Sequence, residues 1–343
     1  MGLEVIGRDP AVVGGLSEEA LILQSDVLVF SAPIRVTETL IRDYVRLAAG
    51  REAGKLWLDV TSIKAGPVAA MLASQAEVAG LHPMTAPPKS PTLKGRVLVV
   101  CEARLETWRD WVQALSAALE AECVHSDPDR HDQVMALVQA MVHATHLAQA
   151  AVLRDYAPEL GDLQALLPYR SASFEMDTAI MARILSLNPA IYEDIQFGNP
   201  HVAGMLERLS GRISQLRALV GEGDDTARRV FREDFLHANR VALGEQAIDE
   251  GSYHYERLGY LLADLTEQRT LSIHLPQDRP GSLRALLDVF ERQGISLSSI
   301  HSSRTPAGEV HFRIGFGADT PVSALRNAAD EIERNGTGRV LLA

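Results

Sequence analysis

The chain has 343 residues, 46% hydrophobic and 23% charged, the composition of an ordinary globular protein long enough for two or three domains. A net charge of −12 argues against nucleic acid or an anionic membrane as partner, though not against an anionic small molecule in a local cationic pocket. Cys101 and Cys123 are too few for a metal cluster or disulfide framework. No signal peptide opens the chain and no apolar run reaches about 18 residues, so a cytoplasmic protein is expected.

Leu3 to Gly7 reads as a short strand ending at Arg8-Asp9-Pro10. An acidic residue just after a strand is what a dinucleotide fold uses to hold the adenosine ribose hydroxyls, although Asp-Pro is also a common turn. Ser17 to Leu23 reads as a helix. Asp26 to Phe30 reads as a buried strand that ends at Ser31-Ala32-Pro33, and a helix follows from Thr37 to Ala49. Leu56 to Val60 is a second apolar run, delivering Thr61, Ser62 and Lys64 where it ends. A helix from Pro67 to Gln75 leads to a third run, Val78 to Leu81, which ends on His82-Pro83. A strand at Arg96–Cys101, a helix at Glu106–Glu120 and a short strand at Glu122–His125 close this region. Such alternation predicts a Rossmann-type α/β fold, a doubly wound parallel sheet. Ligands of open α/β sheets bind outside the carboxyl ends of the strands, so Ser62, Lys64 and His82 are aimed into one crevice.

One part of a dinucleotide fold is missing. A first strand and a G-x-G-x-x-G turn should precede the acidic residue by roughly 20 positions. Asp9 is preceded by only eight residues, and Gly14-Gly15 follow it. Losing a central strand of about five buried apolar residues, at ~1.5–3 kcal/mol each, forfeits on the order of 10 kcal/mol. Domain stabilities are themselves only ~5–15 kcal/mol. The expectation is therefore an incomplete sheet whose Met1 is not the start of the functional protein. The alternative is a chain that has lost its cofactor site.

From His131 to about Gln268 the pattern is helical: His131–Arg154 with Asp129 as N-cap, Ser173–Leu187, Ile191–Ile195, Val202–Val220, and Asp224 to about Gln246. The broad apolar faces of the first and fourth segments suit a dimer interface. Arg183 lies among Ala179, Ile180, Ile184 and Leu185, where it is either a snorkelling or ion-paired surface residue or a bidentate carboxylate grip. His143 and His146 have a metal-compatible spacing but no third ligand, so packing is expected of them. Both cysteines fall on strands and are expected to be buried and structural.

The last stretch reads as strand Thr270–Leu275, a helix opened by Asp278-Arg279-Pro280-Gly281-Ser282-Leu283 and running to Arg292, and strands Ile295–Ser303 and Glu309–Phe316. The turn Thr305-Pro306-Ala307-Gly308 joins those two strands, and helix Pro321–Asn335 and strand Gly338–Leu342 follow. This βαββαβ order is ferredoxin-like. The expected domains are 1–128, 129–268 and 269–343.

D-V-T-S-I-K-A-G-P (59–67) and G-L-H-P-M (80–84) resemble the prephenate dehydrogenase family in its proteobacterial form. S-A-P-I (31–34), H-D-Q (131–133) and A-R-I-L-S-L-N-P-A-I-Y (182–192) continue the likeness over residues 3 to 245. The tail separately resembles an ACT domain through D-R-P-G-S-L (278–283) and G-I-S-L-S-S-I (294–300). The resemblance implies NAD-dependent oxidative decarboxylation of prephenate to 4-hydroxyphenylpyruvate. It gives His82 the substrate hydroxyl, places Ser62 beside it, assigns Arg183 a substrate carboxylate, and makes Lys64 and Tyr192 supports. Asp9, Ser31, Ala32, Pro33 and Thr61 would hold the cofactor, the acid favouring NAD over NADP. Some family members carry a second His on the helix after H-D and a second Arg eight residues before the Arg183 position. Ala140 and Glu175 stand there, which leaves arogenate open as a substrate. A homodimer, with L-tyrosine at the ACT domain, is the expected assembly.

Overall fold

Alternate residues of the short apolar strands face two different helical layers, and this arrangement organises the first part of the chain. The computed structural model describes residues 2–12, 14–85, 93–252, 255, 258, 269–275, 279–304 and 310–342. They divide into two compact units, Met1–Gly223 and Asp224–Ala343.

In the first unit, β1 (Val27–Phe30), β2 (Leu56–Asp59), β3 (Glu77–Pro83), β4 (Val97–Arg104) and β5 (Glu122–His125) form one sheet in that spatial order. Leu28, Phe30, Trp57 and Val78 point to one face. There they meet α1 (Glu18–Gln24), α2 (Ile34–Ala48) and α3 (Ala65–Met71), with Ile22, Ile41, Tyr44, Val68 and Met71 all buried. Leu56, Leu58, Ala79, Leu81, Leu98 and Val100 point to the other face, against Val112 and Trp111 of α4 (Arg109–Ala118). Strands buried on both faces read as unbroken apolar runs, which is why these elements are visible in the sequence.

The structure changes several expectations. β1, β2 and β3 run parallel and β5 is parallel to β4, but β4 is antiparallel to β3, with Pro83 opposite Leu98. The sheet is Rossmann-like with its last two strands, β4 and β5, reversed relative to β1–β3. β4 starts beside the end of β3, an antiparallel pairing that does not require the crossover a parallel pair needs. Residues 3–7 are not a strand. Leu3 and Val5 are 52% and 87% exposed, and with no strand beside them among the described residues the backbone has no ladder to join. Cys101 is buried as expected, whereas Cys123 is exposed on β5, the sheet's outer strand.

A 33-residue helix, α5 (Pro128–Leu160), follows the sheet. Its N-cap is Asp127 rather than Asp129: the Asp127 carboxylate accepts from the Arg130 amide at 2.9 Å, with Pro128 in the first turn. Asp129 instead accepts from the Gln133 side chain, 2.7 Å away. Ala136–Met141 winds as a π-turn in the middle of α5. By length and composition alone α5 could cross a membrane. Only 11% of its most apolar stretch is buried within this chain, so its apolar face lies open.

After a short helical turn at Leu163–Leu166 come three longer helices of the unit: α6 (Ala172–Ser186), α7 (Pro189–Gly198) and α8 (Val202–Glu222). Ala136 and Ala140 of the π-turn pack on Ile195, Val202 and Met205. Gln196 donates to the Ala140 carbonyl at 2.8 Å, a side-chain bond where the regular ladder is interrupted. Replacing Gln196 with Ala is expected to lower stability by roughly 1 kcal/mol, read as a shift of the urea midpoint.

In the second unit β6 (Thr270–Leu275), β7 (Leu297–Arg304), β8 (Val310–Phe316) and β9 (Arg339–Leu342) form an antiparallel sheet in the order β7-β8-β6-β9. Alternate residues Leu271, Ile273 and Leu275 pack against α9 (Ser282–Arg292) and α10 (Val322–Arg334) through Leu286, Phe290, Leu325 and Ile332. This is the expected βαββαβ order. Asp278 and the turn 305–308 lie outside the described residues.

Candidate active site

The end of β3 carries His82 into the sheet's crevice region, where it is only 3% exposed. Its Nδ1 lies 2.9 Å from Nε2 of His131, in the first turns of α5, and His131 Nδ1 lies 2.7 Å from the Asp132 carboxylate. His131 and Asp132 are themselves buried. The same carboxylate accepts the backbone amides of Lys64 at 2.8 Å and Ala65 at 2.9 Å. Asp132 therefore fastens the start of α5 onto the turn that follows β2.

Burial first, then the neighbouring His131 and Lys64, push the His82 imidazole down to about 3. It is neutral at neutral pH. Because the folded value lies below that of the unfolded chain, protonation favours unfolding. Stability attributable to His82 is complete above the usual histidine range and is lost as pH falls from about 6.5 toward about 3.

Lys64 corrects an expectation. Its side chain is fully enclosed, ion-paired with Asp59 and donating to the Leu81 carbonyl at 2.8 Å. The ammonium ties the end of β2 to the end of β3, directly beside His82, and is not presented to a substrate. Burial lowers its pKa, and Asp59 opposes that shift. Burial likewise pushes the Cys101 thiol up to about 12, so it stays protonated. Thr61 is also occupied: its hydroxyl lies 2.7 Å from Asp59 and 2.8 Å from the Ile63 carbonyl, bracing the turn rather than facing a cofactor. Ser62, between them, is half-buried.

Gly80 explains how this cluster fits between strands. A Cβ there would stand 2.8 Å from Val68, 2.9 Å from the Lys64 stem and 3.1 Å from Asp59. Gly80→Ala is expected to cost ~1–3 kcal/mol through overpacking, measured by chemical denaturation.

The helices meet the sheet at the same place. Arg35, at the start of α2, pairs with buried Asp194 of α7 at 2.9 Å, and Asn199 donates to the Asp132 carbonyl at 2.8 Å. A Cβ at Gly198 would stand 2.8 Å from the Ile63 δ-methyl, so α7 and the β2–α3 turn approach closely there. On α7, Tyr192 stands edge-on to His143 of α5 with ring centroids 4.8 Å apart. His146 bonds to the Val142 carbonyl and to Asp177, a packing role. Among the described residues no cluster of metal ligands occurs. Arg183 on α6 is exposed, and among the described residues its guanidinium has no hydrogen-bond or ion-pair partner. Glu175 faces Arg170 at 3.5 Å.

Of the cofactor candidates, Ser31, Ala32 and Pro33 form the turn at the carboxyl end of β1 and are exposed or half-exposed. Asp9 lies in exposed coil, its carboxylate accepting from the Ala11 amide at 2.9 Å, a local turn rather than a strand end. The Ser31–Pro33 turn therefore lies at the carboxyl end of the sheet, whereas Asp9 does not end a strand there. Among the described residues no glycine-rich turn joins a strand to a helix to hold the pyrophosphate.

Sequence reasoning assigned no role to His131 or Asp132. An adjacent His-Asp pair opening a helix after the last strand was the available signal. The second unit holds a cavity of about 410 Å³ whose lining includes Gln293, Ser296, Ser298, Asp319 and Thr320.

Comparison with known proteins adds independent findings. A family model described as "Prephenate dehydrogenase, dimerization domain" matches residues 127–233, and an ACT domain model matches 269–333. A 4-amino-4-deoxyprephenate dehydrogenase of Streptomyces pristinaespiralis is 30% identical over 65% of this chain and 73% of its own length. A probable arogenate/prephenate dehydrogenase of Methanocaldococcus jannaschii is 26% identical over 71% of this chain, which spans only 54% of that relative's length. Among solved structures, prephenate dehydrogenase from Aquifex aeolicus, in complex with hydroxyphenyl propionate and NAD+, superposes with a TM-score of 0.51. It has 19% identity over 66% of this chain and 78% of its own, a likeness of fold.

Proposed function

The chain belongs to the prephenate dehydrogenase family, and from that membership we propose that it oxidatively decarboxylates prephenate to 4-hydroxyphenylpyruvate on the route to tyrosine. The observation that carries this reading is the buried, neutral His82 at the end of β3, backed by His131 and Asp132. Ser31, Ala32 and Pro33 are the residues that would border the nicotinamide end of NAD, which when bound would supply the acceptor for the hydride of C4. His82 takes the proton of the C4 hydroxyl as the hydride departs. The ring carboxylate then leaves as carbon dioxide, its bonding pair completing the aromatic ring, and the phenolate oxygen recovers the proton. Ser62 stands beside His82 in this reading, and Tyr192 supports the substrate from α7.

Arg183 is the carboxylate grip, a role supported by a guanidinium that no described acidic group occupies. Arg183→Gln is expected to raise KM for prephenate roughly tenfold or more with kcat little changed, since a charge-assisted bond contributes ~1.5–3 kcal/mol. An unchanged KM removes Arg183 from the site.

We assign three working parts to the chain, with boundaries near 128 and 268. The open apolar face of α5 is covered by a second copy in a homodimer. The ACT-type unit takes a regulatory amino acid, L-tyrosine, and the cytoplasm is its location. The decisive experiment measures NADH formation from prephenate and, in parallel, from arogenate. If the folded protein binds tyrosine but turns over neither substrate, the dehydrogenase reading fails and an amino-acid-binding regulator replaces it.

A further inference from the structure

The hydrogen-bond chain behind His82 has only one neutral arrangement of protons. A carboxylate can only accept, so the His131 nitrogen facing Asp132, Nδ1, carries a hydrogen. With His131 neutral, its Nε2 is a lone pair. The 2.9 Å contact then requires His82 Nδ1 to donate, which leaves His82 Nε2 as the unprotonated nitrogen. Asp132 cannot turn away from this duty, because the Lys64 and Ala65 amides hold its two oxygens in place.

We propose that His131 and Asp132 form a proton relay behind His82, so that the proton taken from substrate comes to rest as an imidazolium at His131. The inference builds on the reaction proposed above. His82 Nε2 takes the hydroxyl proton, and the Nδ1 proton of His82 passes to His131 Nε2 in the same motion. His82 ends neutral, with its hydrogen moved from one ring nitrogen to the other. His131 becomes the cation, in contact with the Asp132 carboxylate. When the phenolate forms, the transfer runs backward and the proton returns, so the relay consumes none.

The geometry favours this over a charge held on His82. An imidazolium at His82 would be buried next to the Lys64 ammonium, whose bond to the Leu81 carbonyl anchors it one residue away, and among the described residues no carboxylate bonds to the His82 ring. An imidazolium at His131 instead faces a carboxylate at 2.7 Å. Buried charge is tolerated where it is paired and hydrogen-bonded. His131 acts through His82 and is a positioning and proton-holding residue, not a substrate contact.

Two measurements test the relay separately from the reaction. In long-range nitrogen–proton spectra of the full chain at neutral pH, hydrogens are expected on Nδ1 of both His82 and His131, with both Nε2 atoms bare. A hydrogen on His82 Nε2 in the resting protein overturns the proposal, whatever the protein turns over. With substrate, His131→Gln separates orientation from proton uptake, since a glutamine oxygen can accept from His82 Nδ1 but cannot hold its proton. The relay predicts a fall in kcat of ~10²-fold with KM changed less than about threefold, and an altered acid limb of the pH–rate profile. A glutamine variant with wild-type kcat and an unchanged profile reduces His131 to a structural prop and sinks the relay. Absence of turnover in the unaltered protein counts against the dehydrogenase reading, and leaves the tautomer result to decide the relay.

Discussion

His82→Asn is expected to lower kcat for NADH formation from prephenate by roughly 10²–10⁴-fold, the range that a positioned general base contributes. KM should change little, because the base acts as the hydroxyl proton moves and not while substrate merely sits in the site. Asparagine keeps a polar side chain of modest size at the end of β3 and needs no change in the strand, since the His82 backbone is paired opposite Val99. The folded protein should therefore survive, with its urea midpoint moved far less than its rate. Steady-state kinetics on prephenate, with circular dichroism to confirm folding, make the check. A loss of less than about fivefold would remove His82 from the chemistry and would leave aromatisation and hydride acceptance to proceed unaided.

The largest effect on stability is expected at Lys64. Lys64→Met removes the cation paired with Asp59 while filling most of the same volume. It leaves a carboxylate that is wholly buried and already has one oxygen without a hydrogen-bond partner. Breaking a buried ion pair from one side costs ~3–5 kcal/mol, because the remaining charge is neither hydrated nor neutralised. The Leu81 carbonyl also loses its donor. The partner experiment gives the argument its sign: adding Asp59→Leu to Lys64→Met removes both charges and should recover more than half of the loss. Urea denaturation of the single and double variants measures the difference. A single variant as stable as the parent would mean that Lys64 is not the strut between β2 and β3. Activity should fall in both variants, since Lys64 holds the strand end next to His82.

Much of this architecture was legible because apolar runs buried on both faces look alike wherever they occur. Leu56–Asp59, buried throughout, and Val27–Phe30 fall within a residue of their sequence positions; so does Glu122–His125, although that strand is exposed. The same property conceals direction. Nothing in Val97–Arg104 says that it runs against β3, since an apolar run has no polarity along the chain. Residues 3–7 show the converse, an apolar pattern without a neighbouring strand to pair with. In the site, His82 and Ser62 stood out because they end strands. Lys64 stood out for the same reason and was misjudged: its spacing from Asp59 gives no sign that the ammonium folds back under the turn. His131 was hidden differently, since its partner lies 49 positions earlier and only the folded helix brings them together. Cys123 looked buried by strand type, but exposure depends on its strand being outermost.

The π-turn at Ala136–Met141 divides α5 between His131 and Asp132 on one side and His143 and His146 on the other. An α-helix advances about 100° per residue, and a π-turn accommodates roughly one residue more than the ladder around it. The two halves of α5 are therefore out of phase by about that angle. Deleting Val138, an exposed residue within the π-turn, would let the helix close into a regular spiral. It would also swing one set of histidines a quarter-turn around the axis relative to the other. The helix thus depends on a residue count as well as on residue identities: single substitutions at the exposed Leu137 and Val138 should be far better tolerated than the loss of either position.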